Sequence, residues 1–430
     1  MSAPLSVRSA TRRYVGLTAL RWLPVGVTIP VTVLLALSRG LTLAQVGVVF
    51  LVHSGVVALL ELPTGGLADA LGRRPVLVAS GLLHLASCLA FATAAGLPGF
   101  LLGAVLLGAG RALDSGPLQA WYVDTVHASD PGADVVPGLS KAGIADCLAL
   151  ALGAVAGGLL PALLHGSAAS LLVLPFVAAA GIDVVSVVAV LLLVTPTGPA
   201  RHGSALQALR TGVLEVPATV RSSVRLAGRD AALRRVLALS LVCGVALSCL
   251  ELFGPGLFVA LAGGSRTDGS AVFGVVMAVS FGAGAAGAAL SPHSRRLARG
   301  STPRAVAGLT LVCALAVAAL AGAPTVTLAG AAFACFYLAN AAAWPLLHAV
   351  LHARVGPGQR ATMLSASSLA LQAGGGLATL AAPHLAGAGG VGAVYGVLAG
   401  VLVLAALLAL RLPSMAGGVQ AGLPEAPVNY

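Results

Sequence analysis

Apolar runs recur along the whole chain, and short segments that carry most of the charged residues separate them. Because an α-helix rises 1.5 Å per residue, about 20 apolar residues are needed to cross the ~30 Å hydrocarbon core of a bilayer. The runs predict an all-α membrane protein with twelve transmembrane helices, called spans 1 to 12 below. The predicted spans are residues 14–38, 43–67, 75–96, 98–123, 139–164, 170–194, 235–261, 269–290, 303–322, 325–350, 360–386 and 389–411.

Composition indicates the same class. Of the 430 residues, 58% are hydrophobic and 9% are charged, whereas about a quarter of the residues in an ordinary soluble protein are charged. This balance excludes a soluble globular protein, and it makes the lipid bilayer the first expected partner of the chain.

The basic residues indicate how the spans are oriented. If the N-terminus is cytoplasmic, 20 of the 24 lysines and arginines fall on the cytoplasmic side. The positive-inside rule therefore predicts that both termini are cytoplasmic, in a multi-pass protein of the cell inner (plasma) membrane. The net charge of +11 follows from this topology. It does not indicate a nucleic-acid partner, because the basic residues are spread over short loops without stacking aromatics.

The longest polar stretch lies in the middle of the chain, at residues 195–234. It mixes arginine with leucine and valine at helical spacing, which predicts a cytoplasmic linker with an amphipathic helix along the membrane surface. Six spans lie on each side, so we expect two pseudo-symmetric six-helix bundles, residues 1–194 and 235–430. We interpret the linker as a connector of the two bundles, with a regulatory or partner-binding role as the alternative.

Five carboxylates and two arginines remain inside the spans. Each costs about 2.5 to 3.5 kcal/mol at the bilayer centre, so each needs a partner or a water-filled cavity. Position along the helices places four of them in one layer, roughly 10 to 15 Å from the cytoplasmic surface, which predicts a polar cluster in the first bundle. The seven are Arg21, Glu61, Arg111, Asp114, Asp146, Asp183 and Glu251.

One interpretation of this cluster is a static set of ion pairs that hold the helices in register. Arg21 would then pair with Glu61 or Asp146, and Arg111 with Asp114 or its neighbours. The other interpretation is proton coupling, because five acids face two bases within the spans and at least three carboxylates lack an arginine. A carboxylate without a counter-ion in a low-dielectric site can bind and release a proton near neutral pH.

Among the acids, Glu61 is the first candidate for the proton-carrying group. The Pro-Thr-Gly that follows it loosens the helix and makes room for water. The predicted order is Glu61, Asp146 and Asp114, then Glu251 and Asp183, with Arg21 and Arg111 as their basic partners.

Cysteines and histidines show no metal-type pattern in the sequence. The six cysteines fall in predicted spans and lack a spacing such as CxxC, which predicts buried thiols. His53 and His84 lie inside spans 2 and 3, where we interpret a lone histidine as a hydrogen-bonded structural group. We also recognise no phosphate loop and no Ser-His-acid set. The sequence therefore predicts neither a cofactor nor an enzymatic activity.

The segment ELPTGGLADALGRR, from Glu61 to Arg74, places a charged turn at the end of span 2. It fits the pattern GxxxDxxGRR and resembles the signature loop between helices two and three of the major facilitator superfamily. Over its whole length the chain is similar to the twelve-helix transporters of that superfamily. Ala70 stands where the family often has a basic residue.

This resemblance implies a gate at the cytoplasmic side. In the family, the aspartate and the first arginine of the loop form an ionic latch with an acid at the inner end of helix four and with the start of helix eleven. RATMLS, from Arg360, also resembles the family at that start. The gating residues implied here are Asp69, Gly72, Arg73, Arg74, Asp124 and Arg360.

Two further motifs are similar to those of bacterial drug:proton antiporters. In span 4, Arg111 precedes Gly116 as RxxxxG, where the antiporters have RxxxG. In span 5, GAVAGG from Gly153 is similar to the antiporter motif GPxxGG, with Ala154 in place of proline. The resemblance implies an antiporter-like subclass.

The leading hypothesis is a secondary active transporter that exports small amphipathic or hydrophobic molecules by proton antiport and alternating access. The alternatives are a proton symporter that imports a nutrient, and a non-transporting receptor or scramblase on the same fold. The expected partners are a small-molecule substrate and protons, and the expected state is a monomer. The candidate substrate-binding residues are Gln119, Trp121, Tyr122, Phe336, Tyr337, Asn340 and Gln372.

Overall fold

The computed structural model describes residues 5–64, 67–195, 214, 221, 225–356 and 359–413. All regular secondary structure within these ranges is helical, as the apolar runs predict. Most of the predicted linker, 195–234, lies outside the described residues. The side chain of Asp69 does as well, although its backbone belongs to the short helix Leu67–Leu71.

Eleven helical segments of the described chain are long and apolar enough to cross a membrane. The last of them, Arg360–Ala409, is two helices that meet at Gly390, where φ is 76°. Only glycine adopts this backbone conformation without strain, so the residue separates spans 11 and 12 without a loop. The segment makes two crossings, which gives the twelve predicted spans.

Most spans are single helices, and their ends lie within a few residues of the predicted boundaries. Span 1 is Val7–Thr28 followed by Thr32–Ser38, and span 4 is Leu97–Leu113 followed by Pro117–Ser129. A short helix, Ala168–Leu171, precedes span 6. The remaining spans 2, 3 and 5 to 10 are Leu43–Thr64, Arg73–Thr93, Val136–Ala162, Leu174–Leu193, Ala231–Leu261, Arg266–Leu297, Thr302–Leu320 and Val326–His352.

The break in span 4 matters for the site. Asp114 ends the first helix, and Pro117 begins the second. Proline has no N–H to donate to the preceding turn, so a continuous helix through this point is unfavourable. The break leaves Asp114 at a helix end inside the bundle, where its side chain faces span 1.

The helices pack as two groups of six. In the first group, span 1 contacts spans 5 and 6, span 3 contacts spans 4 and 6, and span 2 contacts span 4. In the second, span 8 contacts span 10, span 9 contacts span 10, and spans 7 and 9 both contact the segment Arg360–Ala409. The groups meet mainly along two seams, which are span 5 against span 8 and span 2 against span 11.

We call the side of the bundle that carries Leu5 and the helix Leu67–Leu71 the terminal face, and the other side the distal face. Near the distal face the seam between spans 5 and 8 is tight. A side chain on Gly158 would collide with the carbonyl oxygen of Ser270 and with Gly274, and the Ser270 hydroxyl donates a hydrogen bond to the Gly158 carbonyl over 3.0 Å. The two halves are therefore closed against each other at this level.

The same seam separates toward the terminal face. Gly143 lies eleven residues before Ala154 on span 5, which is three helical turns, so both occupy the face that meets span 8. Open space surrounds Gly143. On span 8, Ala285 lies eleven residues after Gly274 and is exposed. Spans 5 and 8 thus diverge into a cleft at the terminal face.

Candidate functional site

A cavity with an empty volume of about 1040 Å³ lies between the two halves. Residues of spans 1 to 4 form one side, and residues of spans 7 and 8 form the other. We call it the central cavity. Its wall is mainly apolar, and the polar or ionisable residues on it are Thr28, Thr32, His53, Ser54, His84, Ser248 and Glu251.

Glu251 is the carboxylate of this cavity. Its side chain is exposed to the cavity and is enclosed by the surrounding helices. Among the described residues, no lysine, arginine or histidine nitrogen forms an ion pair with it. The hydroxyl of Tyr337 is near enough to interact with it electrostatically. The fold therefore places an acid without a counter-ion in an apolar site between the halves.

A second cavity lies beside the predicted polar cluster, and we call it the cluster cavity. It has an empty volume of about 840 Å³, and its wall includes Arg21, Arg111, Asp114 and Asp146. Three of the four residues predicted to share one layer therefore face one space, and Arg111 joins them. The cluster cavity is polar, whereas the central cavity is mainly apolar.

The arginines of the cluster have partners other than the predicted ones. Arg21 forms an ion pair with Asp114, since the break in span 4 turns that carboxylate toward span 1. The guanidinium of Arg111 stacks over the ring of Trp22 at 4.5 Å from its centroid. This cation–π contact occupies Arg111 in place of an ion pair with Asp114.

Asp146 remains without an ion pair among the described residues. Its Oδ1 atom is buried and has no hydrogen-bond partner there. Arg111 and Arg21 act on it only through longer-range attraction. Asp146 is thus, like Glu251, an acid that a proton could neutralise without breaking an ion pair or a side-chain hydrogen bond among the described residues.

Glu61 lies on the seam between spans 2 and 11. Its Oε2 accepts a hydrogen bond from the Ser368 hydroxyl over 3.2 Å, which joins the two halves. Gly47, Ser54 and Glu61 recur every seven residues, or about two turns, so they share one face of span 2. On that face Gly47 packs against the backbone of Thr379. The seam between spans 2 and 11 therefore extends from the distal side as far as Glu61.

The implied gate is present as a set of contacts at the terminal face. Arg73 forms an ion pair with Asp124 over 2.5 Å, and Arg74 donates to the Leu191 carbonyl. Gly72 precedes span 3 with φ 88°, and Arg360 begins span 11. These contacts join the start of span 3 to the inner ends of spans 4 and 6. A gating role for them stays a prediction.

The candidate substrate residues occupy different environments. Trp121 and Tyr122 are 0% and 1% exposed. The Trp121 ring nitrogen donates to the Thr195 carbonyl, and Tyr122 stacks on Tyr14 with centroids 4.5 Å apart. The structure places both in the packed core of the first half, where they support the helices around the cluster cavity.

The other five candidates are spread over four regions. Gln119 lines the cluster cavity, and Phe336 and Asn340 line a smaller cavity inside the second half. Asn340 accepts a hydrogen bond from the Cys243 thiol. Tyr337 lies near Glu251, and Gln372 is half-buried on span 11. These residues do not converge on one pocket.

Sequence reasoning missed two features of the site. It ranked Glu251 low because that acid belongs to the outer part of span 7, away from the predicted layer. It also interpreted His84 as an isolated histidine, although His84, Cys88 and Asp183 form one buried cluster. The spacing of His84 and Cys88, one helical turn apart, was the available signal. Which helix would face them could not be known from spacing alone.

Comparison with known proteins agrees with this architecture. A model of the major facilitator superfamily matches residues 15–341, which is more than half of the chain. A comparison with curated proteins found no match. At the level of structure the chain is similar to several solved transporters.

The nucleoside transporter NupG has a TM-score of 0.74 at 14% identity, over 94% of this chain and 98% of that chain. The human organic anion transporter MFSD10 (TETRAN) has a TM-score of 0.62 at 18% identity, over 95% and 100%. The peptide transporter POT in complex with sulfate has a TM-score of 0.66 at 15% identity, over 94% of each. At these identities the likeness shows the fold alone. Together with the family match it indicates a transporter rather than an enzyme, and the chain belongs to the major facilitator superfamily.

Proposed function

We propose that this protein is a proton-coupled exporter of small amphipathic or hydrophobic molecules, working by alternating access in the plasma membrane with both termini cytoplasmic. The observation that carries the proposal is Glu251. It is an acid without an ion-pair partner, among the described residues, on the wall of a mainly apolar cavity between the halves. An amphipathic substrate fits such a wall, because apolar contact supplies the affinity and a few polar groups orient the ligand.

Glu251 is the group that we place first for proton coupling, ahead of Glu61. Asp114 and Asp183 already have ion-pair partners, and Glu61 accepts a hydrogen bond from Ser368. A charged Glu251 costs free energy in the apolar cavity until a proton or a cationic group neutralises it. Once Glu251 is neutralised, the conformation in which the cavity is closed and contains no water is favoured. Asp146 is the second candidate.

This proposal implies a transport cycle in which substrate and proton bind from opposite sides. With the terminal face cytoplasmic, the cleft between spans 5 and 8 admits substrate from the cytoplasmic side. A proton that arrives from outside competes with the substrate for the carboxylate of Glu251, and this releases the substrate outward. Proton and substrate each stabilise one facing of the two halves, as alternating access requires. The monomer is the expected working unit, because both seams lie within one chain.

The alternative is a proton symporter that imports a polar nutrient. Two threonine hydroxyls on the wall of the central cavity help to decide between these alternatives. The Thr32 hydroxyl donates to the Thr28 carbonyl, and the Thr28 hydroxyl donates to carbonyls of its own helix. A polar nutrient would need these two donors free, so their intrahelical hydrogen bonds favour a more apolar substrate.

A transport assay tests the direction. Proteoliposomes containing the full chain are given a pH gradient, and a panel of amphipathic fluorescent dyes and uncharged polar solutes is offered. We expect a dye to move against its gradient, in the direction opposite to the proton, and the polar solutes not to move. Movement of a polar solute together with the proton would replace this proposal with symport.

Glu251→Gln tests the coupling site. The variant should lose proton-driven accumulation and keep substrate exchange at equal pH on both sides, because exchange needs no net proton movement. Asp268→Asn is the control, since Asp268 lies in the first turn of span 8 outside the cavities. If Glu251→Gln accumulates substrate like the wild type, the proton site is elsewhere and Asp146→Asn is the next variant.

A further inference from the structure

A compact group of three metal-ligand side chains lies inside the first half, between spans 3 and 6 and apart from the gate; of the three, only His84 also lines the central cavity. His84 and Cys88 are one turn apart on span 3, and Asp183 faces them from span 6. Asp183 and Cys88 are each 3% exposed. Their donor atoms all lie within 4.8 Å of one another. The proposed transport cycle gives these residues no role.

The distances between the donors are close to those of a coordination shell. The Nδ1 atom of His84 lies 2.8 Å from Oδ2 of Asp183, and the Cys88 Sγ lies 3.6 Å from that oxygen and 4.0 Å from the His84 Nδ1. Tetrahedral Zn²⁺, with bonds of about 2.0 Å to N and O and 2.3 Å to S, separates its ligand atoms by roughly 3.3 to 3.6 Å. To admit the ion, the His84–Asp183 pair must widen by about 0.5 Å and the Cys88–His84 pair must shorten by about 0.5 Å.

Charge also favours a divalent ion here. A thiolate and a carboxylate together carry two negative charges, so Zn²⁺ with neutral His84 makes an electrically neutral complex. A neutral complex is the form that a low-dielectric membrane interior tolerates. The donor set of one sulfur, one imidazole nitrogen and one carboxylate oxygen is typical of zinc and not of magnesium or calcium.

The surroundings offer a fourth ligand position and a way in. His84 and Asp183 face a cavity with an empty volume of about 810 Å³. His53 lines the same cavity, and its Nδ1 atom is buried without a hydrogen-bond partner among the described residues. Arg21, Trp22, Arg111 and Asp114 belong to the walls of both this cavity and the cluster cavity. The ion would reach the site through the cluster cavity.

From this geometry we propose that His84, Cys88 and Asp183 bind one zinc-type divalent ion, which fastens span 3 to span 6 in the first half. Binding releases the proton of the Cys88 thiol to solvent, so that Sγ bonds the metal as a thiolate. His84 binds as the neutral tautomer with its proton on Nε2, so that Nδ1 is free for the metal. The fourth position is taken by a water molecule from the adjoining cavity, whose wall includes His53. The ion is a resident of the fold, and the proposal does not depend on the substrate or on proton coupling.

Cobalt substitution tests it directly. The full-length protein in detergent micelles is stripped with a chelator and titrated with Co²⁺. We expect one equivalent to bind with visible bands of a tetrahedral site and a thiolate-to-cobalt charge-transfer band. Added Zn²⁺ should displace the Co²⁺ and remove both the visible bands and the charge-transfer band. Absence of the charge-transfer band in folded wild-type protein overturns the proposal.

Variants assign the ligands. Cys88→Ala should abolish the charge-transfer band and weaken binding by more than ~100-fold, since even loss of a supporting outer group costs 10 to 100-fold. Asp183→Asn and His84→Ala should weaken it while the band stays. Cys249→Ala is the matched control, because Cys249 is another buried thiol of a span outside the cluster. A band that persists in Cys88→Ala but disappears in Cys249→Ala also overturns the assignment.

Discussion

At the scale of single residues, the acids inside the membrane differ in the side chains that contact them. Asp114 has Arg21, Asp183 has His84, and Glu61 has the Ser368 hydroxyl. Glu251 and Asp146 have no ion pair among the described residues. The sequence alone gives the excess of carboxylates over arginines within the spans. Only the fold determines which carboxylates have no ion-pair partner, because pairing depends on how neighbouring helices are rotated.

The ion pair of Arg21 and Asp114 yields a stability prediction. Both side chains are mostly buried, with 17% and 14% exposed. Removing one partner of such a pair leaves the other charge unpaired and costs about 3 to 5 kcal/mol. Asp114→Asn should therefore lower the thermal unfolding temperature of the purified protein.

The double variant Arg21→Gln with Asp114→Asn is the control for that prediction. It removes both charges, so it should be more stable than Asp114→Asn alone. If the double variant is the less stable of the two, the interaction between these residues is not the one described here.

The pair of Arg73 and Asp124 should behave differently. The Asp124 side chain is 51% exposed, and exposed ion pairs contribute about 1 kcal/mol or less. Asp124→Asn should thus leave unfolding nearly unchanged and slow transport, because the pair ties the start of span 3 to the inner end of span 4. Asp134→Asn, at an exposed acid of the next loop, is the control, and equal transport rates in the two variants would remove the gating role.

At the scale of helices, the sequence allowed most of the fold to be predicted. Apolar runs set the spans because a fixed bilayer thickness requires a fixed helix length. The predicted span 11 at 360–386 and span 12 at 389–411 agree with the kink at Gly390. The break at Asp114 was not predicted, since apolar stretches lie on both sides of it. Pro117 was the residue in the sequence that indicated this helix break.

The close approach of spans 5 and 8 gives a prediction at this scale. A side chain at Gly158 meets the backbone of span 8 at Ser270 and Gly274, and neither backbone segment can move alone. Gly158→Val should therefore separate the halves at the distal face. A cysteine placed at Thr32, on the cavity wall, should then react faster with an impermeant maleimide added on the distal side.

Gly181→Val is the matched control for this change. Gly181 lies on span 6 with open space around it, so the same added side chain should not alter the reaction at position 32. Unchanged labelling in Gly158→Val would mean that this contact does not hold the distal face closed.

At the scale of the whole molecule, the family and the architecture follow from the sequence, but the arrangement of the site does not. The GxxxDxxGRR loop and twelve apolar runs are local patterns, and local patterns are readable in one chain. The cluster of His84, Cys88 and Asp183 joins residues almost a hundred positions apart. The position of Glu251 between the halves likewise depends on how span 7 is rotated. Such contacts arise only when the helices assemble.

The two seams between the halves differ in how far their helices stay in contact toward the terminal face. This difference affects the route by which a substrate reaches the cavity. The seam between spans 2 and 11 is held together as far as Glu61 and Ser368, whereas spans 5 and 8 diverge beside Gly143. In a bilayer, a one-sided gap between spans 5 and 8 would open sideways toward the lipid leaflet of the terminal face. A molecule dissolved in that leaflet would enter without passing through water. The apparent affinity of this transporter should then follow how strongly a compound partitions into the membrane.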